Sequence, residues 1–223
     1  MHRDLRSGLE PAILPPKEFP MQIAIVTFDG FNELDSFIAA GILNRMTAKG
    51  WKAHITSPAP RVTSMNGVTI EAERDLEFAG RADAVIIGSG SRTREIVQDH
   101  DLLGRLKLDP RRQLIGAQCS GTLLLSKLGL LGDRPACTDL TTRPWVIETG
   151  VRVLDQPFYA DGNVATAGGC LASQYLATWI LLRAGSRADA EAAMHYVAPV
   201  GQKAEYVARA IASVDPYLDG PEV

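Results

Sequence analysis

The chain has 223 residues, of which 46% are hydrophobic and 22% are charged, an ordinary composition for a globular protein. Its formal net charge of −3 excludes the strongly basic surface typical of proteins that bind nucleic acid or anionic membranes. Three cysteines without a Cys-x-x-Cys pair indicate reduced thiols and a cytoplasmic location, and no apolar run is long enough to cross a membrane.

The predicted domain organisation is one α/β domain with short flanking segments. Residues 1–20 contain four prolines and lack the apolar core of a signal peptide, so they predict an irregular N-terminal arm. Residues 21–215 form the domain, and residues 216–223 form a C-terminal tail.

The first half of the chain alternates apolar runs with helical patterns. Strands are predicted at 22–28, 51–56 and 84–87, and Asn66-Gly67 predicts a hairpin between 62–64 and 68–70. The spacing of Leu34, Phe37, Ile38, Ile42 and Met46 predicts an amphipathic helix that ends at Gly50. Shorter helices are predicted at 93–98 and 101–106.

The second half continues the alternation. Strands are predicted at 114–118, 136–138, 151–153, 158–160 and 163–166. Helices are predicted from Cys119 to about Gly129, from Pro144 to Gly150, at 171–182, from an N-cap at Ser186 to Tyr196, and at 203–212. Strands that alternate with helices predict an open, mostly parallel, doubly wound α/β sheet.

Cys119 lies where a short apolar strand turns into a Leu-rich helix. Small residues on both sides leave room for a sharp reversal, which is typical of a nucleophile elbow; they are Gly116, Ala117, Ser120 and Gly121. Because the positive end of the helix favours a thiolate, we expect the pKa of Cys119 to lie below that of a free thiol. The alternative is a buried and inert cysteine.

Two other groups follow predicted strands, where sites in open α/β sheets are found. Asp29, Glu33 and Asp35 follow the first strand, and Asp35 precedes an apolar helix face that would turn it inward. The loop Gly88-Ser89-Gly90 lacks a phosphate-loop pattern but offers N–H groups for a developing negative charge. The alternatives are capping carboxylates in solvent and a plain Gly-rich loop.

Histidine chemistry and metal binding are not indicated. His54 and His100 fit structural or exposed positions, and His195 fits the core or an interface. No histidine follows Cys119 directly, and no spacing of Cys and His matches a metal site.

Four segments together resemble the ThiJ/PfpI superfamily over residues 21–212. They are 28–35, 86–90, 118–121 and 166–169. The resemblance implies a flavodoxin-like, glutamine amidotransferase-like fold, nearest to isocyanide (isonitrile) hydratases. In those enzymes Leu-Asp opens the first helix, which puts the acid at Asp35, and the elbow reads Cys-Thr-Gly where this chain has Cys119-Ser120-Gly121.

The chain departs from the hydratase pattern in two places. Residues 137–140 read Cys-Thr-Asp-Leu where hydratases often have Thr-Thr-His-Trp, and residues 87–89 read Ile-Gly-Ser where hydratases have Pro-Gly-Gly. The superfamily's usual acid is a glutamate, so Glu33 remains an alternative to Asp35. The superfamily also contains glyoxalases, amidases and non-catalytic sensors, all built on the same elbow.

The first hypothesis is therefore a cofactor-free cysteine enzyme acting on a small molecule. The Cys119 thiolate attacks the terminal carbon of an isocyanide, and Asp35 protonates that carbon or positions water. Gly88, Ser89, Gly90 and Ser120 supply N–H groups that orient the sulfur and the intermediate. The thioimidate is then hydrolysed to an N-substituted formamide, with no cofactor and no metal.

The rival hypotheses are a glyoxalase or amidase of the same superfamily, and a sensor that uses Cys119 for oxidation or ligand capture. Related sensor domains are fused to helix-turn-helix regulators, for which we expect no room before Val223. The resemblance also implies a homodimer, for which the apolar C-terminal helices offer surface.

Overall fold

A computed structural model describes residues 20–218. Its sheet order is β5-β2-β1-β6-β7-β9-β8, and every pair is parallel except β8 with β9. The strands are β1 Gln22–Val26, β2 Lys52–Ser57, β3 Arg61–Thr63, β4 Thr69–Glu71, β5 Arg74–Asp75, β6 Ala84–Ile87, β7 Leu114–Gln118, β8 Phe158–Asp161 and β9 Val164–Ala167. β3 and β4 form a separate antiparallel hairpin.

Helices cover both faces of the sheet. They are α1 Glu33–Leu43, α2 Thr93–Ile96, α3 His100–Arg105, α4 Gly121–Lys127, α5 Arg143–Ile147, α6 Ser173–Ala184, α7 Arg187–Val197 and α8 Lys203–Val214. Short 3-10 helices occur at Asn44–Lys49, Leu76–Gly80, Cys170–Ala172 and Asp215–Tyr217. No helix within residues 20–218 is long and apolar enough to span a membrane.

Two apolar layers hold the sheet between the helices. Alternate side chains of β1 point to opposite faces, as the pleat of a strand requires, so Ile23 packs in one layer and Ala24 in the other. The first layer joins α1, α6, α7 and α8, and the second joins α2, α3, α4 and α5. The predicted doubly wound α/β fold is confirmed, and it is the flavodoxin-like arrangement.

Most predicted elements lie within a few residues of the observed ones. The hairpin at Asn66-Gly67 is confirmed, and Ser186 caps α7 by accepting a hydrogen bond from the Asp189 N–H at 3.2 Å. The single domain over 21–215 and the tail stay predictions, and the N-terminal arm lies outside the described residues except for Pro20.

Three predictions were wrong in detail. The strands at 136–138 and 151–153 are not formed, because only an isolated bridge joins Ala136 to Val153. β5 was missed, since its two residues carry no apolar pattern. Part of the predicted apolar face of α1 is also not buried, since Leu34 and Phe37 stay 50% and 38% exposed. Asp35 is fully buried, in agreement with its predicted inward orientation.

Candidate active site

The elbow between β7 and α4 holds Cys119 in a strained backbone conformation. Cys119 has φ +47°, and within residues 20–218 it is the one residue other than glycine with positive φ. Its N–H bonds to the carbonyl of Ala167 at 2.8 Å, which ties the turn to the neighbouring strand β9. A side chain kept in this region at a strand–helix turn is typical of a nucleophile elbow.

Three reactive side chains meet at this elbow. One carboxyl oxygen of Asp35 and the Sγ atoms of Cys119 and Cys170 all lie within 4.8 Å of one another. We call these three residues the cysteine cluster. Asp35 comes from the first turn of α1, and Cys170 follows Gly169 at the end of β9.

Sequence reasoning missed Cys170. The signal was present, because the segment 166–169 carries the family resemblance and leads directly into Cys170. What the sequence did not give was the strand order: β9 pairs with β7, so the carboxyl ends of both strands meet at one edge.

The carboxyl group of Asp35 is completely buried at this edge. Ser89 Oγ donates a hydrogen bond to Oδ2, while no N–H or O–H group within residues 20–218 reaches Oδ1. Burial raises the pKa of Asp35, and the hydroxyl of Ser89 and the two cluster thiols oppose that rise only in part. Asp35 therefore holds a proton more tightly than an ordinary aspartate.

The thiol of Cys119 is also shielded from water, with 4% of its surface exposed. Gln118 Nε2 lies 3.3 Å from its Sγ and donates to it. Burial is the largest cause that raises the pKa of Cys119, and the adjacent Asp35 carboxylate raises it further. The expectation of a lowered pKa was wrong, because α4 is a single short helix and its dipole is outweighed by desolvation and by Asp35.

The protonation of Asp35 is therefore coupled to that of Cys119. Each raises the cost of a negative charge on the other, so near neutral pH the pair does not lose its last proton. Within the described part of the chain, the residues of the cysteine cluster are also the three His, Cys, Asp or Glu side chains that lie close enough together to bind one metal ion.

The loop after β6 contacts the cluster from the side. Ser89 binds Asp35, as described above, and the N–H of Gly88 is already bonded to the carbonyl of Val26 at 2.9 Å. Gly90 approaches the loop between β1 and α1 so closely that a Cβ there would lie 2.5 Å from the Gly30 carbonyl oxygen. The loop is thus a fixed wall of the site.

Ser120 uses its hydroxyl to join the elbow to this loop. Its Oγ lies 2.7 Å from Thr93 Oγ1 and accepts a hydrogen bond from the Gly90 N–H at 3.2 Å. The backbone N–H groups of Ser89 and Ser120 form no hydrogen bond within residues 20–218. These two N–H groups remain available at the ends of β6 and β7.

The other two candidate carboxylates lie away from Cys119. Asp29 accepts hydrogen bonds from the Thr63 N–H at 2.9 Å and from Arg92 at 3.0 Å, which hold its pKa below the usual value. Glu33 is bonded to Ser64 at 2.5 Å and to Asn66 at 2.8 Å. Both carboxylates anchor the β3–β4 hairpin.

The described histidines are also remote from the cluster. His54 is buried in β2, where Nε2 lies 2.9 Å from Gln22 Oε1 and burial lowers its pKa. His100 begins α3 and is exposed. His195 on α7 is exposed, which excludes the core position and leaves the expected alternative of an interface. No histidine among these three stands beside Cys119.

A cleft of about 350 Å³ lies next to the elbow. It includes residues of the segment that departs from the hydratase pattern, Thr138, Asp139 and Leu140, together with Gly168 and Gly169. Thr138 Oγ1 donates to the carbonyl of Cys119 at 2.8 Å, and the charge of Asp139 raises the pKa values of Asp35 and Cys119. Sequence reasoning noted this segment but assigned it no role.

Comparison with known proteins matches the fold and the family. A sequence profile of the DJ-1/PfpI family matches residues 21–182. Schizosaccharomyces pombe DJ-1 superposes with a TM-score of 0.69 at 19% identity, covering 80% of this chain and 99% of that one. A ThiJ/PfpI family protein from Pseudomonas syringae has a TM-score of 0.68 at 20% identity, covering 95% and 99%.

Drosophila melanogaster DJ-1beta is similar to the same degree, with a TM-score of 0.70 at 18% identity over 80% of this chain and 98% of that one. At this level of identity the solved structures share the fold. No curated protein sequence matches the chain significantly.

Proposed function

The chain belongs to the DJ-1/PfpI family, and we propose that it is a cofactor-independent cysteine enzyme that hydrates an isocyanide to an N-substituted formamide. The observation that carries the proposal is the burial of Cys119 and Asp35 together, with their reactive atoms within 4.8 Å. An isocyanide needs a nucleophile and a proton at one and the same carbon. The cluster holds both groups on one side of the substrate.

The chemistry follows from the shared proton. Asp35 takes the thiol proton as Cys119 Sγ bonds to the terminal carbon, and then gives that proton to the same carbon. The product is a thioimidate in which carbon carries the sulfur, one hydrogen and a double bond to nitrogen. Water adds to this carbon, with its oxygen bonding to carbon and one of its protons going to nitrogen. The C–S bond then breaks, Asp35 passes the second water proton to the Cys119 sulfur, and the N-substituted formamide leaves.

The polar groups around the elbow support these steps. The free N–H groups of Ser89 and Ser120 orient the sulfur and the intermediate, and Gly88 and Gly90 hold the loop that carries Ser89. Because both atoms of the reacting pair are buried, a substrate reaches them only with a slender end group. The linear isocyanide group has that shape.

Purified protein assayed with small alkyl and aryl isocyanides is the direct test, with formamide measured by chromatography. We expect turnover that Cys119→Ser abolishes while circular dichroism shows the fold intact. Cys137→Ser is the matched control, since Cys137 is buried away from the cluster and hydrogen-bonded through its N–H to Thr166 at 2.8 Å. We expect this variant to keep its activity.

The same assay separates the rival functions. Turnover of 2-oxoaldehydes or amides in place of isocyanides would assign the site to a glyoxalase or an amidase. Absence of turnover with all three classes would favour a sensor built on Cys119.

The proposal extends to a homodimer in a reducing compartment such as the cytoplasm. The chemistry requires reduced Cys119, and all three cysteines are free thiols. An apolar groove of about 520 Å³ runs between α1, the start of α6 and the end of α7. Phe37, Leu171 and Tyr196 line it and are exposed, which is typical of a surface that a second copy covers.

A further inference from the structure

Cys170 places a second thiol beside the proposed nucleophile. Its Sγ lies within 4.8 Å of Cys119 Sγ, and both thiols are free. A disulfide requires the two sulfurs to approach to about 2.0 Å, so the proposed bond needs a change of side-chain rotamer or a small shift of the backbone. Cys170 stands next to Gly169, an exposed residue with φ +89° and nothing near its Cβ position, so this turn has room to adjust.

The two thiols differ in access to solvent. Cys170 is partly exposed, whereas Cys119 is buried. Asn32 Nδ2 donates to Cys170 Sγ at 3.2 Å, a contact that favours negative charge on that sulfur. Burial, and after it the Asp35 carboxylate, raise the pKa of both thiols, and Asn32 opposes this rise at Cys170. A small oxidant arriving from solvent therefore meets Cys170 first.

We propose that Cys170 is a peroxide-reactive cysteine and that Cys119 resolves it, forming a disulfide that reversibly removes the nucleophile. The Cys170 thiolate attacks the peroxide and takes one oxygen, giving a sulfenic acid and an alcohol, or water from hydrogen peroxide. Cys119 Sγ then attacks the Cys170 sulfur. Asp35 accepts the Cys119 proton and passes it to the departing hydroxide, which leaves as water.

The electrons balance over the two steps, because two thiols lose two electrons and the peroxide gains them. Asp35 is placed for the second step, since one of its carboxyl oxygens lies within 4.8 Å of both sulfurs of the cluster. The formation of the bond is independent of the isocyanide chemistry. Only the loss of hydratase activity on oxidation rests on the proposed function.

Mass mapping of the reduced full-length protein after limited hydrogen peroxide tests the bond. We expect the intact mass to fall by two hydrogens, and peptide analysis to join Cys119 to Cys170 within one chain. Where isocyanide turnover is measurable, it should fall with the formation of the bond and return with a thiol reductant. A link through Cys137, a link between chains, or direct oxidation of Cys119 to its sulfinic acid would overturn the proposal.

Single-cysteine replacements test the order of events. In Cys119→Ser, dimedone should trap a sulfenic acid at Cys170, because no resolving thiol remains. In Cys170→Ser, oxidation of Cys119 should slow about tenfold or more, since Cys119 then lacks its exposed partner. Cys137→Ser should form the bond at the wild-type rate. Equal rates of Cys119 oxidation in the wild type and Cys170→Ser would contradict the assignment.

Discussion

Asp35 and Cys119 each make the other harder to ionise, because two negative charges in one buried pocket repel. In the reaction that we propose, the nucleophile is therefore generated by proton transfer within the pair and not by a standing thiolate. This mode of activation suits a reaction in which the same proton is needed at carbon one step later. At the residue scale, the proposal thus depends on the position of one proton.

Replacing Asp35 by Asn should cost about 10²-fold or more in turnover, the usual size of general acid–base catalysis. The Asn side chain keeps an acceptor for Ser89 but cannot carry the proton. Isocyanide turnover of the folded variant is the measurement. Glu33→Gln is the matched control, because Glu33 is bonded to Ser64 and Asn66 in the hairpin and should leave turnover near wild type. The reverse ranking of these two variants would move the acid to Glu33.

Asp35→Asn should also raise the free energy of unfolding near neutral pH. Asp35 titrates near 3.8 in the unfolded chain and higher in the folded protein. Below 3.8 the carboxyl is protonated in both states and carries no penalty. As the pH rises from 3.8 through the folded pKa, the unfolded chain releases its proton first, so the free energy of unfolding of the wild type falls relative to Asp35→Asn.

Urea unfolding of both proteins over this pH range measures the difference. Asp29→Asn provides the opposite sign, because the pKa of Asp29 is lowered and its small contribution is present above 3.8 and lost as the pH falls. If the difference in the free energy of unfolding between wild type and Asp35→Asn does not change with pH, then burial does not raise the pKa of Asp35.

The positions of Cys119 and Asp35 in the fold were predictable from the sequence because each belongs to a local pattern. Cys119 lies in a turn of small residues, and Asp35 lies in the first turn of a helix. Cys170 was not predictable, since its approach to Cys119 depends on β9 pairing with β7 across a long insertion. The pKa of Cys119 was also mispredicted. The helix dipole is visible in the sequence, whereas burial is a property of the packed elements.

At the scale of elements, close packing of α4 on β6 sets the position of the elbow. A Cβ on Gly121 would lie 2.5 Å from the carbonyl oxygen of Ile87 and 2.8 Å from that of Gly88. Only glycine lets the first turn of α4 approach the strand this closely. The strands predicted at 136–138 and 151–153 did not form, because an apolar run becomes a strand only where a neighbouring strand is available to pair with it.

Gly121→Ala should therefore destabilise the protein by about 1–3 kcal/mol, as overpacking does, and should lower turnover by displacing Cys119. Gly104→Ala in α3 is the matched control, since nothing lies within 4 Å of its Cβ position. That replacement should be neutral or stabilising by up to about 1 kcal/mol. Thermal unfolding and isocyanide turnover of both variants check the pair, and equal stability of the two would refute close packing at the elbow.

At the scale of the whole molecule, α1 links the site to the surface. It buries Asp35 on one face and leaves Phe37 partly exposed in the groove that Leu171 also lines, and Leu171 directly follows Cys170. The apolar groove thus begins one residue from the cysteine cluster.

Leu171→Glu should therefore convert a dimer to a monomer, because Leu171 is 70% exposed at the edge of the groove and a buried carboxylate there would be unpaired. Ile147→Glu is the matched control, since Ile147 is 51% exposed on α5, in the opposite helical layer. Sedimentation at micromolar concentration should show wild type and Ile147→Glu at twice the 24.1 kDa chain mass and Leu171→Glu at the chain mass. A wild-type monomer would exclude the dimer, and a Leu171→Glu dimer would place its interface elsewhere on the molecule.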